Sequence, residues 1–576
     1  MSETLISFKN FSWKYKSQAE PTLRGLSFDG NKGEKILICG PSGCGKSTIA
    51  HCINGLIPFS YHGDITGSLT VCGKETKDLS IFDMSKMVGT VLQDSDGQFV
   101  GLTVAEDIAF ALENDCVPQT DLIRTVRETA AEVNVQDHLK HAPNELSGGQ
   151  KQRVSLAGVM VDKVPILLFD EPLANLDPAT GKRSIALIDE IQKKTGATVI
   201  IIEHRLEDVL YRHVDRVILM SEGTIAANMT PSELLSTDLL REHGIREPLY
   251  LTALKYAGVT ITPEMHPDSL DEIILSKEDI RKVTDWYRKA EPEVGEETGE
   301  SLLSVSGVSF TYDNGFRALH DVSFEVNKGE MISIVGTNGA GKSTLAKVIC
   351  GFLRQQQGTI VTHEDDGIRE DSDLSELSIK EIADHIGYVM QNPNQMISKV
   401  MIAEEVALGL ETRKKPEGFI QKKVEDTLRI CGLYPFRKWP ISALSFGQKK
   451  RVTIASILAQ DPEVLILDEP TAGQDYRHYT EIMEFLRELN AHGVTVLMIT
   501  HDMHLMLEYC RRSIVVTGGR ICADTTPAAV LTDPKLVEKA SLKETSLYTL
   551  ALLCGIPDGR AFTEHFIRVE RQRRSE

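Results

Sequence analysis

Two nine-residue stretches, GPSGCGKST from Gly40 and GTNGAGKST from Gly336, share the spacing G-x4-G-K-[ST]. That spacing suits phosphate chemistry. The glycines let successive backbone N–H groups approach an anion closely, at the start of a helix whose aligned peptide dipoles favour negative charge. Lys46 and Lys342 are placed to reach the outer phosphates of a nucleotide, and the hydroxyls of Ser47 and Ser343 to hold Mg²⁺. The first cradle is Gly40, Pro41, Ser42, Gly43, Cys44, Gly45, Lys46, Ser47 and Thr48. The second is Gly336, Thr337, Asn338, Gly339, Ala340, Gly341, Lys342, Ser343 and Thr344. A thiol at a helix start can be reactive, but Cys44 reads as a small residue that fits the turn.

Further chemistry recurs at the ends of apolar runs. LLFDEP and LILDEP deliver the acidic pairs Asp170/Glu171 and Asp468/Glu469. The aspartates are placed to orient Mg²⁺ and its waters, and the glutamates to polarise a water for attack on the terminal phosphate. VIIIEH and VLMITH end in His204 and His501, read as terminal-phosphate contacts that also orient the glutamates. Gln93 in VGTVLQD and Gln391 in IGYVMQN are neutral groups able to sense both Mg²⁺ and the attacking water. Tyr15 in FSWKY and Tyr312 in VSFTY precede the glycine loops, where an aromatic face can stack on a base; an ordinary strand aromatic is the rival reading.

These residues need elements to hold them. EKILICG and EMISIVG are apolar runs that enter the glycine turns, and IAHCINGL and LAKVICGF follow as helices. PILLFDEP, VLILDEP, ATVIIIEH and VTVLMITH are further continuous apolar runs with polar C-terminal ends. Such runs describe a mostly parallel sheet covered on both faces, hence an α/β domain. The features recur in order, 296 residues apart at Gly40 and Gly336, 298 at Asp170 and Asp468, and 297 at His204 and His501. This is a tandem duplication. We expect domains over 1–236 and 301–530, with a C-terminal extension and acidic linker over 237–300 and a helical extension with a basic tail over 531–576. REPLYLTALKYAG in the first extension has an echo in ETSLYTLALLCG near the C-terminus; two unrelated amphipathic helices are the alternative. RKAEPEVGEETGE reads as the linker, and RVERQRRSE as a frayed, solvated end.

The bulk numbers bound the partners. The chain has 576 residues, 41% of them hydrophobic, and a formal net charge of −20. General nucleic-acid binding would ask for a basic surface. The ten cysteines include no C-x2-C pair, which fits a reducing compartment and argues against a zinc site. The N-terminus lacks a signal-peptide pattern, and no apolar run approaches the length of a membrane span. Any membrane role must therefore come through a partner.

One motif gives the family. LSGGQKQR at Leu146–Arg153 recurs as LSFGQKKR at Leu444–Arg451. Glycine loop, glutamine, LSGGQ, acidic pair and histidine, in that order, resemble the nucleotide-binding domain of ABC ATPases over nearly the whole chain. The resemblance implies two P-loop NTPase domains, each a mostly parallel sheet core with an antiparallel β region and a helical signature subdomain. It implies ATP and Mg²⁺ as cofactors and an intramolecular head-to-tail pseudo-dimer. The first site would then add Ser445 and Gly447 to Lys46, Ser47, Gln93, Asp170, Glu171 and His204. The second would add Ser147 and Gly149 to Lys342, Ser343, Gln391, Asp468, Glu469 and His501. Asp177 in ANLDP and Asp475 in AGQDY match the D-loop. Phe446 stands at the first-glycine position of the second signature and removes no ligand, so a working site is expected.

The stretches QDSDGQFVGLTVAEDIAFALEN and QNPNQMISKVMIAEEVALGLE, with EHRLEDVL after His204, resemble the ATPases of energy-coupling-factor importers, some of them linked to cobalt or thiamine-precursor uptake. The first departs at DSDG and the second is one residue shorter. That resemblance implies a transmembrane coupling subunit docking near the glutamine loops, a substrate-capture membrane subunit, and a place at the cytoplasmic face of the cell membrane. Another ABC transporter class is the nearest alternative. Twin-domain ABC ATPases that act on ribosomes usually carry a long charged helical linker and an N-H-L-D motif, which this chain lacks.

Overall fold

A computed structural model describes residues 3–93, 96–174, 176–289, 299–363, 372–471 and 474–575. Most of the linker stretch, Asp94 and Ser95 of DSDG, and Asn175, Ala472 and Gly473 of the two D-loop stretches lie outside them. The chain divides into two compact units, with the main boundary between Trp286 and Tyr287.

In the first unit, six strands form one sheet in the order Thr224–Met229, Arg216–Ser221, Lys35–Cys39, Thr198–Ile202, Ile166–Asp170, Val88–Val91. Every neighbouring pair is parallel except the hairpin at the Thr224–Met229 edge. Lys35–Cys39 and Thr198–Ile202 are buried at every position, as the continuous apolar runs require. A four-stranded antiparallel sheet, led by Leu23–Asn31, Thr4–Tyr15 and Gly63–Val71, packs its inner residues into the same core as Ile36, Ile38, Ile200 and Ile202. The helices Val104–Asn114, Gln119–Glu132 and Gly148–Met160 form the third region.

The second unit repeats this order around Met331–Val335, with Thr495–Ile499 on one side and Arg512–Thr517 on the other. Its antiparallel sheet and its three helices, Ile402–Thr412, Glu417–Ile430 and Phe446–Leu458, recur likewise. The echoing stretches both form eight-residue helices, Leu249–Tyr256 and Ser546–Leu553.

The tail corrects an expectation. RVERQRRSE is not a frayed end: helix Gly559–Ser575 runs through it. Phe562 and Phe566 are buried. Arg571 donates to the Glu508 carbonyl at 2.9 Å, and Arg574 reaches the Glu508 carboxylate at 3.1 Å and the Tyr509 hydroxyl at 2.6 Å. Glu508 is buried, and a buried carboxylate needs such a partner. The arginines therefore tie the C-terminal helix to helix Met503–Tyr509, which follows His501.

Candidate active site

In each unit the glycine loop leaves the central parallel strand and ends at a helix, Lys46–Ile53 or Lys342–Ile349. Gly45 and Gly341 sit at φ +104° and +98°, which favour glycine. A Cβ on Gly40 would stand 2.4 Å from the Met220 carbonyl oxygen, and one on Gly336 only 1.9 Å from that of Val516. The backbone thus has no room for a side chain where it turns. Lys46 Nζ arches back to the carbonyls of Gly40 and Pro41 at 2.7 and 2.9 Å. Lys342 does the same to Gly336 and Thr337, at 2.9 Å each. Cys44 is buried and burial pushes its thiol up, so the turn-fitting reading stands.

The acidic pairs end the strands Ile166–Asp170 and Val464–Asp468, each one strand removed from the central strand. Glu171 and Glu469 both adopt left-handed backbone, at φ +49° and +47°. Each donates its N–H to the next strand, at the carbonyl of Ile202 or Ile499, over 2.9 Å. Strain of this kind persists only where its surroundings hold it, and here it turns the glutamate away from the strand end.

The two sites then differ. In the first, His204 Nε2 lies 2.6 Å from Glu171 Oε1, and Gln93 Nε2 donates to Glu171 Oε2 at 2.6 Å. Burial raises the Glu171 carboxyl, but the hydrogen bond with His204 and the Lys46 charge outweigh it and hold it below the ordinary glutamate value. Asp170 goes the other way, pushed up to about 6 by burial and then by Glu171. In the second site, His501 Nε2 is 3.5 Å from Glu469 Oε1. Burial, and then Asp468, push Glu469 up to about 8. Tyr388 donates to Asp468 Oδ2 at 3.0 Å, where the first unit has Thr90 in the same strand position.

The residues fit a magnesium nucleotide. Asp170 Oδ1 is buried without a hydrogen-bond partner among the described residues, as expected of an oxygen that faces a cation shell. Ser47, Gln93 and Asp170 would hold the ion, and Ser343, Gln391 and Asp468 in the second unit. Bound there, Mg²⁺ would neutralise charge on the phosphate oxygens. Tyr15 and Tyr312 are half-buried, and their hydroxyls bond Thr48 and Thr344 at 3.3 and 3.0 Å. This sets the rings beside the loops.

The signature serines stand at helix N-termini. Ser445 Oγ accepts from Gln448 N–H at 3.2 Å, and Gln448 Oε1 accepts from Ser445 N–H at 3.0 Å. Ser147 N–H likewise donates to Gln150 Oε1 at 2.8 Å. Phe446 is the first residue of its helix and is exposed. Gly148, at the same place, has ordinary helical backbone, and a Cβ there would make only a 3.7 Å contact with Leu176. The position therefore does not need glycine, and Phe446→Gly is expected to change ATP turnover by no more than about twofold. A larger gain in steady-state phosphate release would show that the second signature is impaired.

Three features gave too little signal in sequence. Glu203 is buried and accepts the N–H groups of His204 at 2.7 Å and Leu173 at 3.2 Å, fixing the histidine's backbone. Its neighbour in VIIIEH gave the clue, but the second copy has Thr500 there. Nothing in the sequence separates Tyr388 from an ordinary strand aromatic or Lys450 from a surface charge, yet Lys450 is 1% exposed.

The family model described as ABC transporter matches residues 23–174 and 319–472. One described as ATP-binding cassette cobalt transporter matches 237–310. The chain is 58% identical over 573 residues to an ABC transporter ATP-binding protein named in Enterococcus faecalis, covering 99% of each. It is 56% identical to one in Clostridium perfringens, covering 100% of each. Among solved structures, cbiO1 of Clostridium perfringens, titled as part of the ABC transporter complex cbiONQ, is similar at 34% identity and TM-score 0.38. That match covers 42% of this chain and 94% of that one.

Proposed function

From the premise that the chain belongs to the ABC transporter ATP-binding proteins, whose domains hydrolyse ATP, we propose that it energises a membrane importer of energy-coupling-factor type. The cargo class is a vitamin, a vitamin precursor or a transition-metal ion. The observation that carries this reading is the match of residues 237–310, outside the catalytic machinery, to a model described as a cobalt transporter's cassette. The stretches after Gln93 and Gln391 support it from the sequence side. Among the described residues no helix is long and apolar enough to cross a membrane. The chain then works at the cytoplasmic face of the membrane through a transmembrane coupling subunit and a substrate-capture subunit.

We further infer two composite ATP sites, each glycine loop completed by the other half's signature serine and second glycine. Covalent fusion would favour this pairing by raising the effective concentration of one half for the other to about the mM range. Within each half the residues divide the work. Lys46 and Lys342 bind phosphate. Glu171 and Glu469 take the proton of the attacking water. His204 and His501 hold the glutamates in place, and Gln93 and Gln391 link them to the metal side.

Cells that carry Glu171→Gln together with Glu469→Gln in place of the native chain test the transport reading. They are expected to lose at least about tenfold in energy-dependent accumulation of either ⁵⁷Co²⁺ or a labelled thiamine precursor. Accumulation of both at the native rate would exclude those two cargoes.

A further inference from the structure

The glutamine loops of the two units are held by different chemistry. In the first, Gln98 staples the loop: its Oε1 accepts from Leu92 N–H at 3.1 Å, and its Nε2 donates to the Thr90 carbonyl at 3.1 Å. The second loop is one residue shorter in QNPNQ than in QDSDGQ, and the residue five after its glutamine is Met396 rather than Gln. The sulfur of Met396 lies 3.2 Å from Met390 N–H. A thioether is a weak acceptor and donates nothing, so half of the staple is lost.

A lysine holds this loop instead, at carbonyls two and three residues further along than the Thr90 counterpart Tyr388. Lys450, in the signature helix Phe446–Leu458, donates from Nζ to the carbonyls of Met390 and Gln391 at 2.8 Å each. Burial pulls its ammonium down to about 8, opposed by the charges of Asp468 and then Glu469. A buried ammonium is costly unless such partners satisfy it. The first unit has Gln152 at this position, and it turns elsewhere: Nε2 donates to the Pro172 carbonyl at 2.5 Å, and Oε1 accepts from Ser184 at 2.6 Å.

We propose that Lys450 is a positioning residue of the second ATP site. Its two hydrogen bonds fix the backbone from which Gln391 reaches the metal side, in place of the glutamine staple of the first unit. The lysine also joins the signature helix directly to the glutamine loop, a link that Gln152 makes to none of the described residues of its own loop. The inference rests on the assignment of Gln391 to the second site.

Vanadate trapping of a photoreactive ATP analogue on the full chain, with peptide mapping, reports each glycine loop separately. Lys450→Gln, which installs the first unit's residue, is expected to lower trapping at the second loop about fivefold or more and to leave the first within about twofold. Lys450→Arg, which keeps two donors, is expected to restore at least half of the loss. If Lys450→Gln does not fold, Lys450→Met carries the same comparison. Unchanged trapping at the second loop, an equal fall at both loops, or no rescue by arginine would overturn the proposal. Gln391→Ala separates the two levels. Its failure to lower second-loop trapping would reject the Gln391 assignment, whereas its success beside an inert Lys450→Gln would reject the lysine's role alone.

Discussion

Replacing Glu171 and Glu469 together by Gln is expected to lower ATP hydrolysis by the purified chain by about 100-fold or more, the size of loss of a positioned base. The amide keeps the shape of the carboxyl but cannot take a proton. At the first site the effect is clean. His204 and Gln93, each 2.6 Å from a Glu171 oxygen, hold the carboxylate in place, and His204 and Lys46 keep its pKa below the ordinary glutamate value, as the proposed base needs. At the second site the 3.5 Å gap to His501 and the raised carboxyl describe a base not yet poised. Each single variant is nevertheless expected to fall about tenfold, as it would if the proposed composite sites close together. Near-normal phosphate release by either single variant would mean unequal sites.

Gly336→Ala is the second large effect. The added methyl would meet the Val516 carbonyl oxygen at 1.9 Å, backbone against backbone, so no rotamer relieves it. The glycine also sits at φ +141°. A cost of about 3 kcal/mol or more is expected. It should appear as a melting-temperature loss on the order of 6 °C and as lost ATP binding at the second loop. Gly339→Ala is the control. Its φ of +76° is also left-handed, but nothing lies within 4 Å of its Cβ, so only about 1 kcal/mol of backbone strain is expected. Equal losses in the two variants, read by differential scanning calorimetry and nucleotide titration, would contradict the collision argument.

The strand ends were legible because they obey a simple rule. A fully buried parallel strand must be apolar until it reaches the sheet edge, so the first polar residue marks the edge and the site. Asp170 and Asp468 follow from that, and Glu171, Glu469, His204 and His501 lie one or two residues beyond the strand ends. Lys450 was not legible. In KKR it looks like one of three exposed charges, and only the short glutamine loop and the helix register bring it under Met390. The tail failed for a similar reason. Arg571 and Arg574 meet their partners at Glu508 to Cys510, more than sixty residues away in sequence. Composition alone reports charge, not which buried carboxylate awaits it.

Purification of the tagged chain from detergent-solubilised membranes asks whether this ATPase serves a membrane importer. A small polytopic membrane protein is expected in stoichiometric amounts, with a second membrane subunit, and no enrichment of ribosomes. Recovery with ribosomes, and without any polytopic protein, would contradict the importer reading.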